Sequence, residues 1–205
     1  TLDGKSGLLG GPADKALFRT LRGIADVILV AAGTIRTENY SAPVITDRTS
    51  QIRRSQSQLP LPTVVALTNS LNLDPQSPLF TTPHYRPAIL TSTSGVKQQD
   101  KNHFQNADII EMPGCSVNLR DALAILAESY GPVILVEGGP SLNQQMVSLD
   151  LFDEFCITIS PKYSSDQNSQ LVTTAESYEP GEVTLDRELT VDDFIFQRLL
   201  RNRKP

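Results

Sequence analysis

Short apolar runs alternate with amphipathic stretches along most of this chain. The runs predict strands at 26–34, 62–67, 88–91, 108–112 and 133–136. The last run, Val-Ile-Leu-Val, has no polar residue on either face, which predicts a strand in the middle of a parallel sheet. Apolar stripes at helical spacing follow Pro12 and Asn118, so helices are expected between the strands.

Two regions depart from this alternation. Residues 36–58 are rich in Ser, Gln and Arg, and they predict an irregular excursion with a short helix around 47–56. After residue 151 the pattern favours strands at 152–159, 183–189 and 194–200, the last two as an antiparallel pair. We therefore expect one α/β domain over residues 1–205, with a mostly parallel mixed sheet and an antiparallel C-terminal edge. Its first strand, ending near Lys5, is expected to be truncated.

Composition narrows the function classes. The chain has 205 residues, a net charge of −5 and ordinary hydrophobic content, which argues against a nucleic-acid or membrane surface. A small anionic ligand needs only a local positive pocket and stays open. The sequence contains no HxxxH or CxxC motif and no Cys/His cluster, so no metal site is expected.

The stretch PVILVEGGPSLN at 132–143 predicts a strand, a tight turn and a helix. Gly138 and Gly139 allow a sharp turn and a close ligand, and Pro140 suits the first helical position. The amides of the next three residues then lack intrahelical partners at the positive end of the helix dipole. This arrangement favours an anion such as a pyrophosphate, although a strand–helix turn without a ligand has the same pattern. The three amides belong to Ser141, Leu142 and Asn143.

Other predicted strands also end in polar residues. Thr34 and Glu38 lie at and after the end of the strand predicted at 26–34, Asn69 follows the strand at 62–67, and a Ser/Thr-rich segment follows the strand at 88–91. Ligands bind at the carboxyl ends of parallel strands, so these residues join the candidate site. Simple turn chemistry would use the same residue types.

Six motifs in order carry a family resemblance. They are LDGK at 2–5, GPADK…LR at 11–22, DVILVAAGTIR at 26–36, VILVEGGPSLN at 133–143, DEF…ISPK at 153–162 and FIFQR at 194–198. The chain resembles the reductase domain of riboflavin biosynthesis, the C-terminal half of the bifunctional pyrimidine deaminase/reductase. The resemblance implies a three-layer dihydrofolate-reductase-like fold, NADPH as cofactor and a cytoplasmic homodimer. It also implies reduction of 5-amino-6-(5-phosphoribosylamino)uracil to its ribitylamino product.

The resemblance also assigns roles to residues. NADPH contacts are implied at Leu8, Thr34, Glu38 and Asn69, and along Gly138, Gly139, Pro140, Ser141, Leu142 and Asn143. Substrate contacts are implied at Ser6, Arg22 and Glu137, where Arg22 and Ser6 suit a sugar phosphate. The proton needed in the reaction is expected from Asp3, Glu38 or water.

Two departures concern the substrate side. Many members have Asp-Asp-Pro followed by an Arg, whereas this chain has Glu38-Asn39-Tyr40 and Ile45 near the Arg position. Substitutes for the missing cation would be Arg36, Arg48, Arg53 or Arg54. The Gly-rich loop at 7–11 is also shorter than usual. Two alternatives therefore stay open: a reductase of the same fold acting on a dihydropterin or dihydrofolate, and a nucleotide-binding domain without turnover.

The deaminase partner carries a zinc signature that residues 1–205 lack. The expectation is a stand-alone reductase or a deaminase upstream of Thr1.

Overall fold

The computed structural model describes residues 9–98, 101–162 and 181–202. The chain forms two compact units. The parallel unit is Arg19–Gly139, and the antiparallel unit combines Thr1–Phe18 with Pro140–Pro205. In the parts of the chain that the structure describes, no helix is both long and apolar enough to cross a membrane.

Five parallel strands form the sheet of the parallel unit, in the order β4-β3-β2-β1-β5. Their bounds are Val27–Ala31 (β1), Thr63–Thr68 (β2), Ala88–Ser92 (β3), Asp108–Met112 (β4) and Ile134–Val136 (β5). The strand order runs one way from β1 to β4 and reverses between β1 and β5. The carboxyl ends of all five strands share one edge of the sheet, and the reversal marks the point where open α/β sheets bind ligands.

Burial differs between the strands of this sheet. Side chains of β1, β2 and β3 are almost entirely buried, as their continuous apolar runs predict. Among the described residues, β5 is only half-buried and lies at the edge of the five-stranded sheet, so the prediction of a central position for 133–136 is wrong there. A short apolar run therefore determines neither how deeply a strand is buried nor which strands are its neighbours. β5 is also only three residues long, which limits its pairing.

In the described part of the chain, six α-helices begin before or between these strands, and two of them begin directly at a strand end. They are α1 (Pro12–Ile24), α2 (Ala32–Glu38), α3 (Asp47–Ser55), α4 (Pro78–Thr81), α5 (Thr93–Gln98) and α6 (Leu119–Tyr130), with a 3₁₀ turn at Lys101–Phe104. The predicted helices after Pro12 and Asn118 and around 47–56 are confirmed. The Asn118 side chain caps α6 by accepting from the amides of Arg120 and Asp121.

The strand predicted at 26–34 ends at Ala31, where α2 begins, and α5 likewise begins directly at the end of β3. Thr34 therefore lies within a helix. Ser, Thr and small residues favour turns and first helical turns alike, so composition alone does not separate the two.

Arg53 of α3 holds this part of the parallel unit together. Its side chain is 1% exposed. Nε donates to Leu59 O at 2.8 Å, and Nη1 donates to Gly23 O at 2.9 Å and Ala25 O at 2.6 Å. These carbonyls include the end of α1, where backbone acceptors lack intrahelical partners. Arg53 is therefore a buried helix cap, and it does not replace the missing substrate cation.

The antiparallel unit contains α7 (Pro140–Ser148) and a sheet in the order β6-β8-β7. The strands are Glu154–Ile159 (β6), Val183–Val191 (β7) and Phe194–Arg201 (β8). Asp192 and Asp193 join β7 to β8 with φ of 49° and 64°, the left-handed pair of a type I′ hairpin. The predicted antiparallel pair is confirmed, as is the α/β class. These strands form a sheet of their own rather than an edge of the parallel sheet.

Candidate active site

A buried ion pair lies at the carboxyl end of β5. Arg22 Nε donates to Glu137 Oε1 at 2.6 Å, and Arg22 Nη2 donates to Glu137 Oε2 at 2.6 Å. Tyr40 Oη donates to the same Oε2 at 2.5 Å, and its ring centroid lies 5.1 Å from Arg22 Cζ. The side chain of Glu137 is 3% exposed and that of Arg22 is 23% exposed. We call these three residues the Arg–Tyr–Glu cluster.

Three separate elements bring the cluster together. Arg22 lies in the last turn of α1, where a cation is favoured by the helix dipole. Tyr40 follows α2 after Asn39, whose left-handed conformation at φ 52° ends the helix. The Glu137 amide donates to Leu29 O of β1 at 3.0 Å, which fixes Glu137 beside the strand-order reversal.

Electrostatics define the protonation of the cluster. Burial alone lowers the pKa of Arg22, but the hydrogen bond and charge of Glu137 outweigh it, so this pKa is raised. Burial raises the pKa of Tyr40, and the Glu137 charge raises it further. Tyr40 therefore stays a neutral phenol near pH 7, and its raised pKa makes it a poor proton donor. The arrangement offers a fixed guanidinium rather than an acid.

A second part of the site lies where β5 leaves the sheet. Gly138 has φ 83°, and its carbonyl accepts from Ala31 N at 2.7 Å. A Cβ added to Gly139 would lie 2.9 Å from Thr34 Oγ1. The structure thus brings together Thr34 and Gly139, two residues that the sequence assigned to the cofactor, and it does so at the strand-order reversal.

The ends of β2 and β3 are linked by hydrogen bonds. Ser92 Oγ donates to Asn69 O at 3.1 Å, and Asn69 Oδ1 accepts from Val117 N at 3.0 Å. A Cβ on Gly95 would lie 2.4 Å from Asn69 O, so the start of α5 lies tightly against this strand end. Asn69 is exposed, at the same edge of the sheet as the other strand-end residues.

Glu38 is the half-buried last residue of α2. The predicted helix at Pro140 is confirmed as α7, which contains Ser141, buried Leu142 and Asn143 and belongs to the antiparallel unit. Asp3, Ser6 and Leu8 lie outside the described residues.

The residues at the strand ends suit an anionic dinucleotide. Thr34, Asn69 and Gly139 offer a hydroxyl, an amide and a backbone without a Cβ, and none of these three adds negative charge. NADPH therefore fits this set. Among the described residues, no group of three or more His, Cys, Asp or Glu could hold a metal.

Sequence reasoning missed the role of Tyr40. It noted Tyr40 only as part of a departure from the family pattern, because the contact to Glu137 spans 97 positions. Among the proposed replacement cations, Arg36 donates to Asn72 O at 2.7 Å. Arg22 is paired with Glu137, which is itself a predicted substrate residue.

Comparison with known proteins gives the family. The family model for the RibD C-terminal domain matches residues 1–181. No curated protein matches the sequence. A pyrimidine reductase-like protein from Corynebacterium diphtheriae is similar in structure, with 29% identity, a TM-score of 0.88, and coverage of 100% of this chain and 87% of that chain.

Two solved structures at lower identity share the fold. RibD from Acinetobacter baumannii has 15% identity and a TM-score of 0.77, covering 98% of this chain and 53% of that chain. The riboflavin biosynthesis reductase Rib7 from Saccharomyces cerevisiae has 17% identity and a TM-score of 0.68, covering 94% of this chain and 82% of that chain. This chain therefore spans about half the length of the Acinetobacter RibD. The expected homodimer and cytoplasmic location stay predictions.

The predicted resemblance is confirmed over most of the sequence. The match covers residues 1–181, and the fold is shared with the reductases of riboflavin biosynthesis. The chain belongs to the RibD C-terminal domain family, the reductase domain family of riboflavin biosynthesis.

Proposed function

We propose that this protein is an NADPH-dependent reductase that converts 5-amino-6-(5-phosphoribosylamino)uracil to its ribitylamino product. One observation carries the proposal. The Arg–Tyr–Glu cluster and the Thr34–Gly139 contact lie together at the strand-order reversal of the parallel sheet. A charged, oriented cluster thus lies beside a neutral backbone cradle, as a site for a phosphorylated substrate and a dinucleotide requires.

Neutral and backbone groups would bind the cofactor. Gly139 allows close approach of a ligand, and the amides of Ser141, Leu142 and Asn143 suit its diphosphate. Thr34 would border the reactive half, and Asn69 would contact the other half. These assignments follow the family resemblance together with the donor chemistry of the residues.

Arg22 would bind the substrate phosphate. A guanidinium presents five N–H donors in a planar fork, a geometry suited to phosphate oxygens. Glu137 accepts from the Nε and Nη2 edge of the guanidinium, which restricts the motion of Arg22 before the substrate arrives, and the phosphate would accept from the Nη1 side. Ser6 is proposed as a second phosphate contact.

The chemistry requires one hydride and one proton. NADPH, when bound, supplies the hydride to C1′ of the ring-opened ribosylamine, whose C=N bond becomes a C–N single bond. The protein must hold the acceptor carbon in attack geometry and deliver the proton to the nitrogen. We propose Glu38, Asp3 or a bound water as the source of that proton, since the raised pKa of Tyr40 makes it a poor acid.

The decisive experiment is anaerobic oxidation of NADPH in the presence of the phosphoribosylamino-pyrimidine, with identification of the product by mass spectrometry. We expect one equivalent of ribitylamino product per NADPH consumed. NADPH binding without oxidation would instead support the nucleotide-binding domain without turnover.

A reductase with another substrate is the second candidate. The observation that favours it is Tyr40, which lies in the substrate half where many family members have proline. Competition between the pyrimidine substrate and dihydrofolate or a dihydropterin in the same assay decides between them. Faster turnover of the pterin-type substrate would replace the first proposal.

The proton source is tested with Asp3→Asn and Glu38→Gln. Single-turnover hydride transfer should slow in the variant that removes the donor, because proton delivery contributes roughly 10²–10⁴-fold in enzymes. Unchanged rates in both variants would remove these carboxyls from the mechanism and leave water as the source.

A further inference from the structure

Tyr40 makes two contacts within the substrate half of the site. Its hydroxyl donates to Glu137 Oε2 at 2.5 Å, and its ring lies under the Arg22 guanidinium at 5.1 Å. The ring also packs against the hydrophobic core of the parallel unit. Tyr40 is thus anchored at one end and donates from the other.

These contacts decide how Glu137 is oriented. Oε2 accepts from both Arg22 Nη2 and Tyr40 Oη, while Oε1 accepts from Arg22 Nε. With its side chain 3% exposed, Glu137 acts on a ligand mainly through Arg22. The hydroxyl of Tyr40 fixes the carboxylate, and the carboxylate fixes the plane of the guanidinium.

We propose that Tyr40 is a positioning residue for the phosphate of the substrate, acting through Glu137 on Arg22. This inference rests on the proposed function, which assigns Arg22 to the phosphate. A guanidinium held in one plane loses less conformational entropy when it binds a phosphate. Tyr40 therefore sets the affinity for phosphorylated substrates without taking part in hydride transfer.

Tyr40→Phe isolates the hydroxyl, because it keeps the ring under Arg22. Loss of a hydrogen bond to a charged group should raise the KM for the phosphorylated pyrimidine about tenfold. The phosphate is remote from the reacting carbon, so kcat should change by less than about twofold. The KM for NADPH should stay at the wild-type value. With the dephosphorylated pyrimidine as substrate, the variant and the wild type should have equal KM values.

Tyr130→Phe is the matched control, since Tyr130 is a half-buried tyrosine at the end of α6 beside Asp108. It should behave as wild type with both substrates. In a Glu137→Gln background, Tyr40→Phe should add less than about twofold to the KM, because the hydroxyl acts through the carboxylate.

Two results overturn the inference: an unchanged KM for the phosphorylated substrate, or an equal rise with the phosphorylated and dephosphorylated substrates. If the wild type oxidises no NADPH with any pyrimidine, the proposed function fails and the inference is tested by binding alone. Ribose 5-phosphate is then titrated while the Arg22 Nε–H resonance is followed by NMR. Binding about tenfold weaker in Tyr40→Phe supports the inference, and equal binding or none in the wild type refutes it.

Discussion

Arg53 gives the sharpest test of how the parallel unit is held together. Arg53→Met removes the guanidinium and keeps an unbranched apolar stem at a site that is 1% exposed. The carbonyls of Gly23, Ala25 and Leu59 then lose their donor. The first two of these carbonyls lie at or just after the end of α1, within one helical turn of Arg22.

The magnitude follows from opposing effects. Three hydrogen bonds from a charged donor contribute about 1.5–3 kcal/mol each. Burial of the guanidinium costs several kcal/mol, and Nη2 is buried without a hydrogen-bond partner among the described residues. The net loss of unfolding free energy should be about 2–4 kcal/mol, which corresponds to a fall in Tm of roughly 5–15 °C for a chain of this size.

Calorimetry and urea unfolding measure the effect. Arg54→Met is the matched control, because Arg54 is the exposed neighbour in α3, and its Tm should stay within about 1–2 °C of wild type. The acceptors of Arg53 are uncharged carbonyls, so 1 M salt should leave most of the difference in place. Equal Tm values for the two variants, or a difference that disappears in salt, would refute the helix-cap interpretation.

Three further predictions concern pH, the cofactor and a helix cap. Burial raises the pKa of Tyr85, so above about pH 10 the folded state binds more protons than the unfolded state and stability falls with rising pH; Tyr85→Phe should flatten this fall in urea unfolding between about pH 9 and 11.5. Gly139→Ala places a Cβ 2.9 Å from Thr34 Oγ1 and should weaken NADPH binding in calorimetric titration. A loss of about tenfold is expected from crowding, while Gly181→Ala, which meets nothing within 4 Å, should bind normally. Asn118→Ala should cost about 1 kcal/mol and lower Tm by roughly 2–4 °C, and Asn118→Asp should restore most of it.

Local patterns predicted most of the elements. The strands at 62–67, 88–91 and 108–112, the Asn118 cap and the C-terminal hairpin all follow from short-range composition, and the structure contains each of them. Strand order was not predictable in the same way. The apolar run of β5 predicts a buried central strand, whereas among the described residues β5 is half-buried at one end of the sheet.

The candidate site also combines features that local sequence indicates with contacts that it does not. The Gly138-Gly139 turn and the helix at Pro140 are encoded within a few residues, so the sequence indicates them directly. Tyr40 and Arg53 lie in polar stretches with no periodic signal. Tyr40 contacts a carboxylate 97 positions away, and Arg53 contacts backbone carbonyls. Neither kind of partner can be recognised from the local sequence.

The position of β5 has a consequence for the order in which the site is assembled. The backbone of Val133 pairs with Asp26 across 107 positions, and β5 is the last strand of the parallel unit to leave the ribosome. Until then, β1 presents an open apolar edge, a template for pairing with another chain. Arg22 likewise waits for its carboxylate until Glu137 is synthesised. A nascent chain that stalls before residue 134 thus has both an unprotected sheet edge and an incomplete Arg–Tyr–Glu cluster.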